Sequence, residues 1–249
     1  MRKKHIAGNW KMNGSEASVT ALADALAKAS LPPNIDITVF PAAVHLKTAR
    51  EILKNSPVRV GAQNCYIKDS GAFTGEISPL MLRDLGCTAV LAGHSERRQL
   101  FHEDPEFVAQ KVEAALKAGI TPFLCVGETR TEREAGQTEH VILEQLNPVL
   151  KKISINALKN CIIAYEPVWA IGTGLTATPD EAQAVHAFIR NHLSKSDANI
   201  ARNVQILYGG SVKAANAAEL FAMPDVDGAL VGGASLQVEE FLAICAATG

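Results

Sequence analysis

The sequence predicts an α/β fold, a single-domain (β/α)8 barrel over residues 1–249 with eight parallel strands ringed by helices. Three observations predict it. Short apolar runs alternate with longer helical patterns from one end of the chain to the other, as a βα repeat requires. Most of these runs are nearly continuously apolar, as in Thr38-Val39-Phe40, Ala89-Val90-Leu91 and Gln205-Ile206-Leu207, the pattern of parallel strands covered on both faces. No Ser/Pro-rich linker divides the 249 residues, and α/β barrels run to about 250 residues as one domain. A doubly wound open sheet would share the first two features. It is weakened because no strand run is followed by Gly-x-Gly-x-x-Gly with an acidic residue about 20 positions on.

The expected strands fall at 5–12, 36–41, 58–64, 88–93, 120–127, 160–166, 204–209 and 227–232. Between them the helices announce their ends. Residues 15–29 are helix-like from Ser15 onward. Asp104-Pro105-Glu106 supplies an N-cap, a proline at the first helical position and a first-turn carboxylate; Phe107, Val108, Val112, Ala115 and Leu116 mark one face, and Gly119 stops the helix. Thr178-Pro179-Asp180-Glu181 is a capping box opening a helix through His192, and 238–247 forms the last helix.

Composition removes several classes of function. The hydrophobic fraction of 47% and charged fraction of 20% are those of a globular chain, not a disordered one. With 24 Lys plus Arg against 26 Asp plus Glu, a net charge of -2 gives no basic field for nucleic acid, and no charge run suggests a membrane surface. An anionic ligand must therefore be held by a few local groups. Five cysteines without a Cys-x-x-Cys pair argue against a disulfide framework or a zinc ribbon and fit a reducing cytoplasm. The basic start Met1-Arg2-Lys3-Lys4 is not followed by an apolar signal core. No two of the six histidines other than His94 have metal-ligand spacing, so no metal site is expected.

The chemically unusual residues collect at the carboxyl ends of the expected strands: Asn9 and Lys11 at the first, Gln63-Asn64 at the third, His94 at the fourth and Glu166 at the sixth. Gly209-Gly210-Ser211 ends the seventh and Gly232-Gly233 the eighth. In a parallel barrel these ends share one rim, where active sites of this fold are built. Each glycine pair alone reads equally as a tight turn, but two pairs after strands seven and eight occupy the usual phosphate position. Glu166, between Tyr165 and Pro167 and near Trp169, is expected to be shielded from water, which raises a carboxylate's basicity. The apolar, small-residue stretch from Ala170 to Ala177 reads as a lid. His94 starts a helical turn, where positive charge is disfavoured and a neutral imidazole can donate to a carbonyl. Lys11 beside Asn9 can neutralise an oxyanion. Glu96, followed by Arg97 and Arg98, reads as part of a local ion-pair network with a possible supporting role.

Five segments resemble the triosephosphate isomerase family. They are Ala7-Gly8-Asn9-Trp10-Lys11-Met12-Asn13, Gly93-His94-Ser95-Glu96-Arg97-Arg98, Ala164 through Gly174 around Glu166, Tyr208-Gly209-Gly210-Ser211-Val212 and Leu230-Val231-Gly232-Gly233-Ala234-Ser235-Leu236. The resemblance spans nearly the whole chain, with the motifs in family order. It implies that Glu166 is the base, that His94 is the neutral electrophile, and that Lys11, with Asn9, stabilises an enediolate. It further implies that Gly172, Ser211, Gly232 and Gly233 hold a phosphate beneath a lid over 167–177. Dihydroxyacetone phosphate and glyceraldehyde 3-phosphate would be the substrates, in glycolysis and gluconeogenesis with a link to the pentose shunt, and no cofactor would be needed. The loop over 68–76 would carry Phe73 and Thr74 into a second copy of the chain, giving a homodimer. Two positions depart from the family pattern, Ala92 before Gly93 and Leu175 at the far end of the lid. Competing readings are a Schiff-base aldolase, which wants a lysine where Glu166 stands, a metal-dependent epimerase, which wants a rim His/Asp cluster, and a non-catalytic phosphate-binding barrel, which would lack the acid–base pair.

Overall fold

The computed structural model describes residues 2–172 and 175–249. Its strands are β1 (Lys4–Asn9), β2 (Ile35–Phe40), β3 (Val58–Ala62), β4 (Ala89–Ala92), β5 (Thr121–Val126), β6 (Ile162–Tyr165), β7 (Gln205–Tyr208) and β8 (Gly228–Val231). They pair in chain order into a closed barrel, and β1 closes on β8 in parallel register from His5↔Gly228 to Gly8↔Val231. The helices are α1 (Glu16–Lys28), α2 (Leu46–Leu53), α3 (Pro79–Asp84), α4 (Ser95–Leu100), α5 (Pro105–Lys117), α6 (Arg130–Glu134), α7 (Thr138–Ala157), α8 (Pro179–Ser194), α9 (Ala198–Asn203), α10 (Ala214–Phe221) and α11 (Val238–Ala246).

Each expected run contains a strand, with ends that differ by at most three residues, the largest difference at the carboxyl end of the first. The first run stops as strand at Asn9 because Lys11 turns into the left-handed region at φ 51°. The two caps read from sequence are formed, since Asp104 accepts from Phe107 N at 2.7 Å and Thr178 and Glu181 close a capping box on α8; Ser15, expected as the first helical residue, is instead the N-cap of α1.

Alternation along the strands creates two cores. Inside the barrel lie Ala7, Phe40, Leu91, Phe123, Cys125, Leu207 and Leu230, so the centre is packed and not a pore. The outward residues, such as Leu124 and Val126 of β5, join the larger core beneath the helices. Gly61 is required by this filling, since a Cβ there would lie 2.4 Å from the Phe40 ring. At the barrel floor Arg190 donates to Asp225 (2.6 Å) and Asp227 (2.8 Å), and Arg2 donates to Asp227 (2.6 Å). With its interior filled and its floor tied, the barrel leaves the rim free to carry chemistry.

Candidate active site

Lys11 stands two residues past β1 in a backbone conformation that costs a non-glycine residue roughly 1–2 kcal/mol. Its neighbours hold it there. Lys11 N donates to Asn9 Oδ1 at 3.0 Å, and Gln63 Nε2 donates to the carbonyls of Lys11 (2.7 Å) and Phe40 (2.9 Å). The Lys11 ammonium pairs with Glu96 Oε1 at 2.5 Å. The ion-pair network expected of Glu96 with Arg97 and Arg98 is therefore corrected. Arg97 pairs with Glu103, and Arg98 donates to the carbonyls of Gly93 and Cys125, which fixes the turn after β4.

That turn delivers His94 to the start of α4. Its Nδ1 accepts the Glu96 N–H at 3.3 Å, leaving Nε2 to face Glu166 Oε1 at 2.9 Å. Glu166 follows β6 directly; its other oxygen accepts the Ser95 N–H at 2.8 Å, and the residue is only 2% exposed. Gly209 at the end of β7 makes room for this carboxylate, since a Cβ there would lie 2.9 Å from Glu166 Cγ and 3.0 Å from Tyr165 O.

Burial was expected to raise the basicity of Glu166, and burial does push its pKa up. The His94 ring, the Ser95 N–H and Lys11 outweigh it, and the carboxyl sits below its ordinary range. Burial likewise lowers His94, but the Glu166 carboxylate facing it wins and the ring lies above its ordinary value. In this arrangement each group shifts the other, the carboxylate raising the ring and the ring lowering the carboxyl, so each one's pKa depends on the other staying in place.

A cleft of about 280 Å³ lies beside the pair. Asn9, Lys11, His94, Glu166, Gly172, Ser211, Gly232 and Gly233 line it, and a Cβ on Gly232 would lie 3.5 Å from Lys11 Cε. The eight residues expected to act on a substrate thus line one cavity, whereas Gln63 and Asn64, also expected at the rim, line the neighbouring groove. Lys213 and Asn13 line it too, and sequence reasoning missed both. For Lys213 the signal was available: it is two residues beyond Ser211, in the same loop.

The segment read as a lid starts with a 3₁₀ turn over Val168–Ala170. Trp169 Nε1 donates to Glu128 Oε1 at 2.9 Å, Ser211 Oγ donates to Ala170 O at 2.7 Å, and Ala177 N donates to the Tyr208 hydroxyl at 3.3 Å. Thr173 and Gly174, within the expected lid, lie outside the described residues.

Phe73 and Thr74 are not in this cleft. Phe73 packs on Tyr66 with ring centroids 4.7 Å apart and remains 38% exposed. Nearby, a groove of about 810 Å³ is lined by Met12, Gln63, Gly75, Glu76, Glu96 and Phe101. Met12 is 95% and Phe101 62% exposed. Among the described residues, no group of His, Cys, Asp or Glu is arranged to hold a metal ion, and no helix is long and apolar enough to cross a membrane.

Fold and cleft together define a class: a (β/α)8 barrel whose mouth sets a buried carboxylate–imidazole pair, a lysine and a glycine-rich lining around one cleft, suited to acid–base chemistry on a small anionic substrate. The family model described as Triosephosphate isomerase matches residues 4–248. The chain is 54% identical, over the full length of both chains, to proteins named triosephosphate isomerase from Pseudomonas entomophila (strain L48) and Pseudomonas putida (strain W619). It is 53% identical, again over both full lengths, to the one from Ectopseudomonas mendocina (strain ymp). The chain belongs to the triosephosphate isomerase family.

Proposed function

We propose that residues 1–249 form one catalytic domain that interconverts dihydroxyacetone phosphate and D-glyceraldehyde 3-phosphate by proton transfer through an enediolate, without a cofactor. The observation that carries this reading is the buried Glu166–His94 pair, 2.9 Å apart, opening on the same cleft as Lys11, Ser211 and the Gly232-Gly233 wall.

The geometry supports a sequence of events. A substrate phosphate enters against Gly172, Ser211, Gly232 and Gly233, where backbone groups and the Lys11 charge offset its own charge. The substrate carbonyl takes the Nε2–H of His94, because Nδ1 is occupied by the Glu96 N–H. That hydrogen bond displaces Glu166, which leaves Ser95 and moves toward the carbon. Away from His94 and Ser95 the carboxylate loses the partners that depress its pKa while burial remains, so its basicity rises where it is needed. The same departure frees the Nε2–H that His94 had given to Glu166, and because Nδ1 accepts the Glu96 N–H the ring that polarises the carbonyl is a neutral imidazole throughout. Lys11 and Asn9 hold the enediolate oxygen, and closure over 167–177 excludes water and protects the intermediate from losing phosphate.

The proposal extends to assembly and place. The groove beside Lys11 and its exposed rim residues Met12 and Phe101 support a homodimer in which Thr74 and Phe73 of each copy enter the other's groove. The family's reaction puts the activity in glycolysis and gluconeogenesis, linked to the pentose shunt, and the composition suits the cytoplasm.

The deciding experiment is NMR of dihydroxyacetone phosphate in D₂O with the purified protein. Enzyme-dependent deuterium incorporation at C1 is expected. No exchange, a borohydride-trapped adduct on Lys11, or activity lost to a chelator would each overturn the mechanism.

A further inference from the structure

Arg133 lies in α6, outside the cleft, and touches both flanks of the segment that follows Glu166. Its guanidinium carbon sits 4.3 Å from the centroid of the Trp169 ring, within the range of a cation–π contact. One amino group donates to Glu181 Oε1 at 2.6 Å. The other lies 3.7 Å from Glu128 Oε1, the atom that also accepts the Trp169 indole N–H (2.9 Å) and the Tyr165 hydroxyl (3.1 Å). The second oxygen of Glu181 accepts from Thr178 N (2.7 Å) and Thr178 Oγ1 (3.1 Å). A single planar cation thus contacts Trp169, three residues after Glu166, and through Glu181 contacts Thr178, where the segment rejoins α8.

We propose that Arg133 is a positioning residue that couples the two ends of this segment, so that the Trp169 and Thr178 ends move together over the cleft. The inference rests on the lid reading given under Proposed function. Arginine suits the task for a stated reason: its flat face stacks on the indole while its edge donates in two directions, whereas a lysine ammonium is a point charge without a face. Glu128 needs the cation as well. It is fully buried, its Oε2 makes no hydrogen bond, and among the described residues Arg133 is the one cation within 4.0 Å. A cavity of about 230 Å³ lined by Arg133, Thr138, Glu181 and Phe188 adjoins the guanidinium and leaves it room to follow the indole.

The test compares wild type, Arg133→Met, Arg133→Lys, Glu181→Gln and the Arg133→Met/Glu181→Gln double variant. Four quantities are read: isomerisation, inorganic phosphate released from the substrate, the ¹⁵N–¹H indole signal of Trp169, and the urea midpoint. Arg133→Met is expected to lower kcat about tenfold with KM within about twofold, because Ser211, Gly232 and Gly233, which lie outside the segment, are untouched. Phosphate release per isomerisation should rise severalfold, and the Trp169 signal should shift. Arg133→Lys is expected to recover only part of kcat. Glu181→Gln keeps an oxygen for Thr178 but loses the ion pair, so it should move the ratio the same way, and the double variant should match Arg133→Met alone. A wild-type kcat and release ratio in Arg133→Met, full recovery in Arg133→Lys, or additive losses in the double variant would overturn the proposal. If Arg133→Met does not fold, Arg133→Lys and Glu181→Gln carry the test. The Trp169 signal needs no turnover, so an inactive wild type would defeat the functional reading and leave the coupling still measurable.

Discussion

Glu166 shows how far a residue can be read without its surroundings. Its place after an apolar strand and before a proline made it a candidate base, and its burial is legible in the apolar neighbours on either side. What could not be read is the partner that sets its pKa. His94 and Ser95 lie some 70 positions upstream, and only closure of the barrel brings their groups to 2.9 and 2.8 Å. The Lys11–Glu96 pair was hidden for the same reason, as was the burial of Lys111 in α5 against Glu103 and Asn64. Glu166→Ala is expected to leave the fold intact and lower turnover by several orders of magnitude in a coupled assay, because proton abstraction has no substitute. Rates near wild type would remove Glu166 as the base. Gly209→Ala offers a subtler check. The added methyl meets Glu166 Cγ at 2.9 Å and the immobile Tyr165 carbonyl at 3.0 Å, so the carboxylate must shift. A fall in kcat of tenfold or more with an unchanged circular dichroism spectrum is expected, and an unchanged kcat would mean that Glu166 needs no such seat.

At the scale of elements, what the sequence shows best is where regular structure starts. Ser15, Asp104 and Thr178 are local signals whose hydrogen bonds close within three residues, and the structure makes each of them. Loops are harder, because their conformation answers to distant groups: the Lys11 turn to Gln63, the turn after β4 to Arg98, and the segment after β6 to Glu128, Arg133 and Tyr208. The lid is nevertheless testable as a unit. Shortening residues 171–175 removes Ile171 and Gly172 from the cleft wall and opens the intermediate to water. Methylglyoxal and free phosphate should then rise at the expense of isomerisation, and an unchanged product ratio would show that the segment protects nothing. The loop bearing Phe73 and Thr74 makes an equally separate prediction. Thr74→Arg should halve the mass seen by light scattering, since a bulky cation cannot enter a partner's groove. An unchanged dimer mass, or a monomeric wild type, would count against the proposed interface.

For the whole molecule, the near-neutral charge of -2 leaves no strong global repulsion to govern stability against pH. The groups that govern it are the buried ones. His5, on the barrel's first strand, and His186, in α8, are both pushed by burial to a pKa of about 4, from an ordinary 6.5. The unfolded chain therefore binds protons that the folded chain refuses between these values. Their contribution to stability is fully present above pH 6.5 and is lost as the pH falls toward 4, at about 1.4 kcal/mol per pH unit for each group. His94 works the other way: its raised pKa adds stability below 6.5 that is lost as the pH climbs through the folded-state value. The depressed carboxyls Glu166 and Asp225 add stability above the unfolded carboxyl range and lose it on further acidification. The signs together place the stability maximum near neutrality, with a descent on the acid side that begins well above the carboxyl range. Urea titrations from pH 7 to 4.5 should show that descent. His186→Gln should flatten it by up to about 1.4 kcal/mol per pH unit, whatever the substitution costs at neutral pH. Parallel pH profiles for wild type and variant would show that His186 is charged in the folded chain after all, and that the acid limb belongs to other groups.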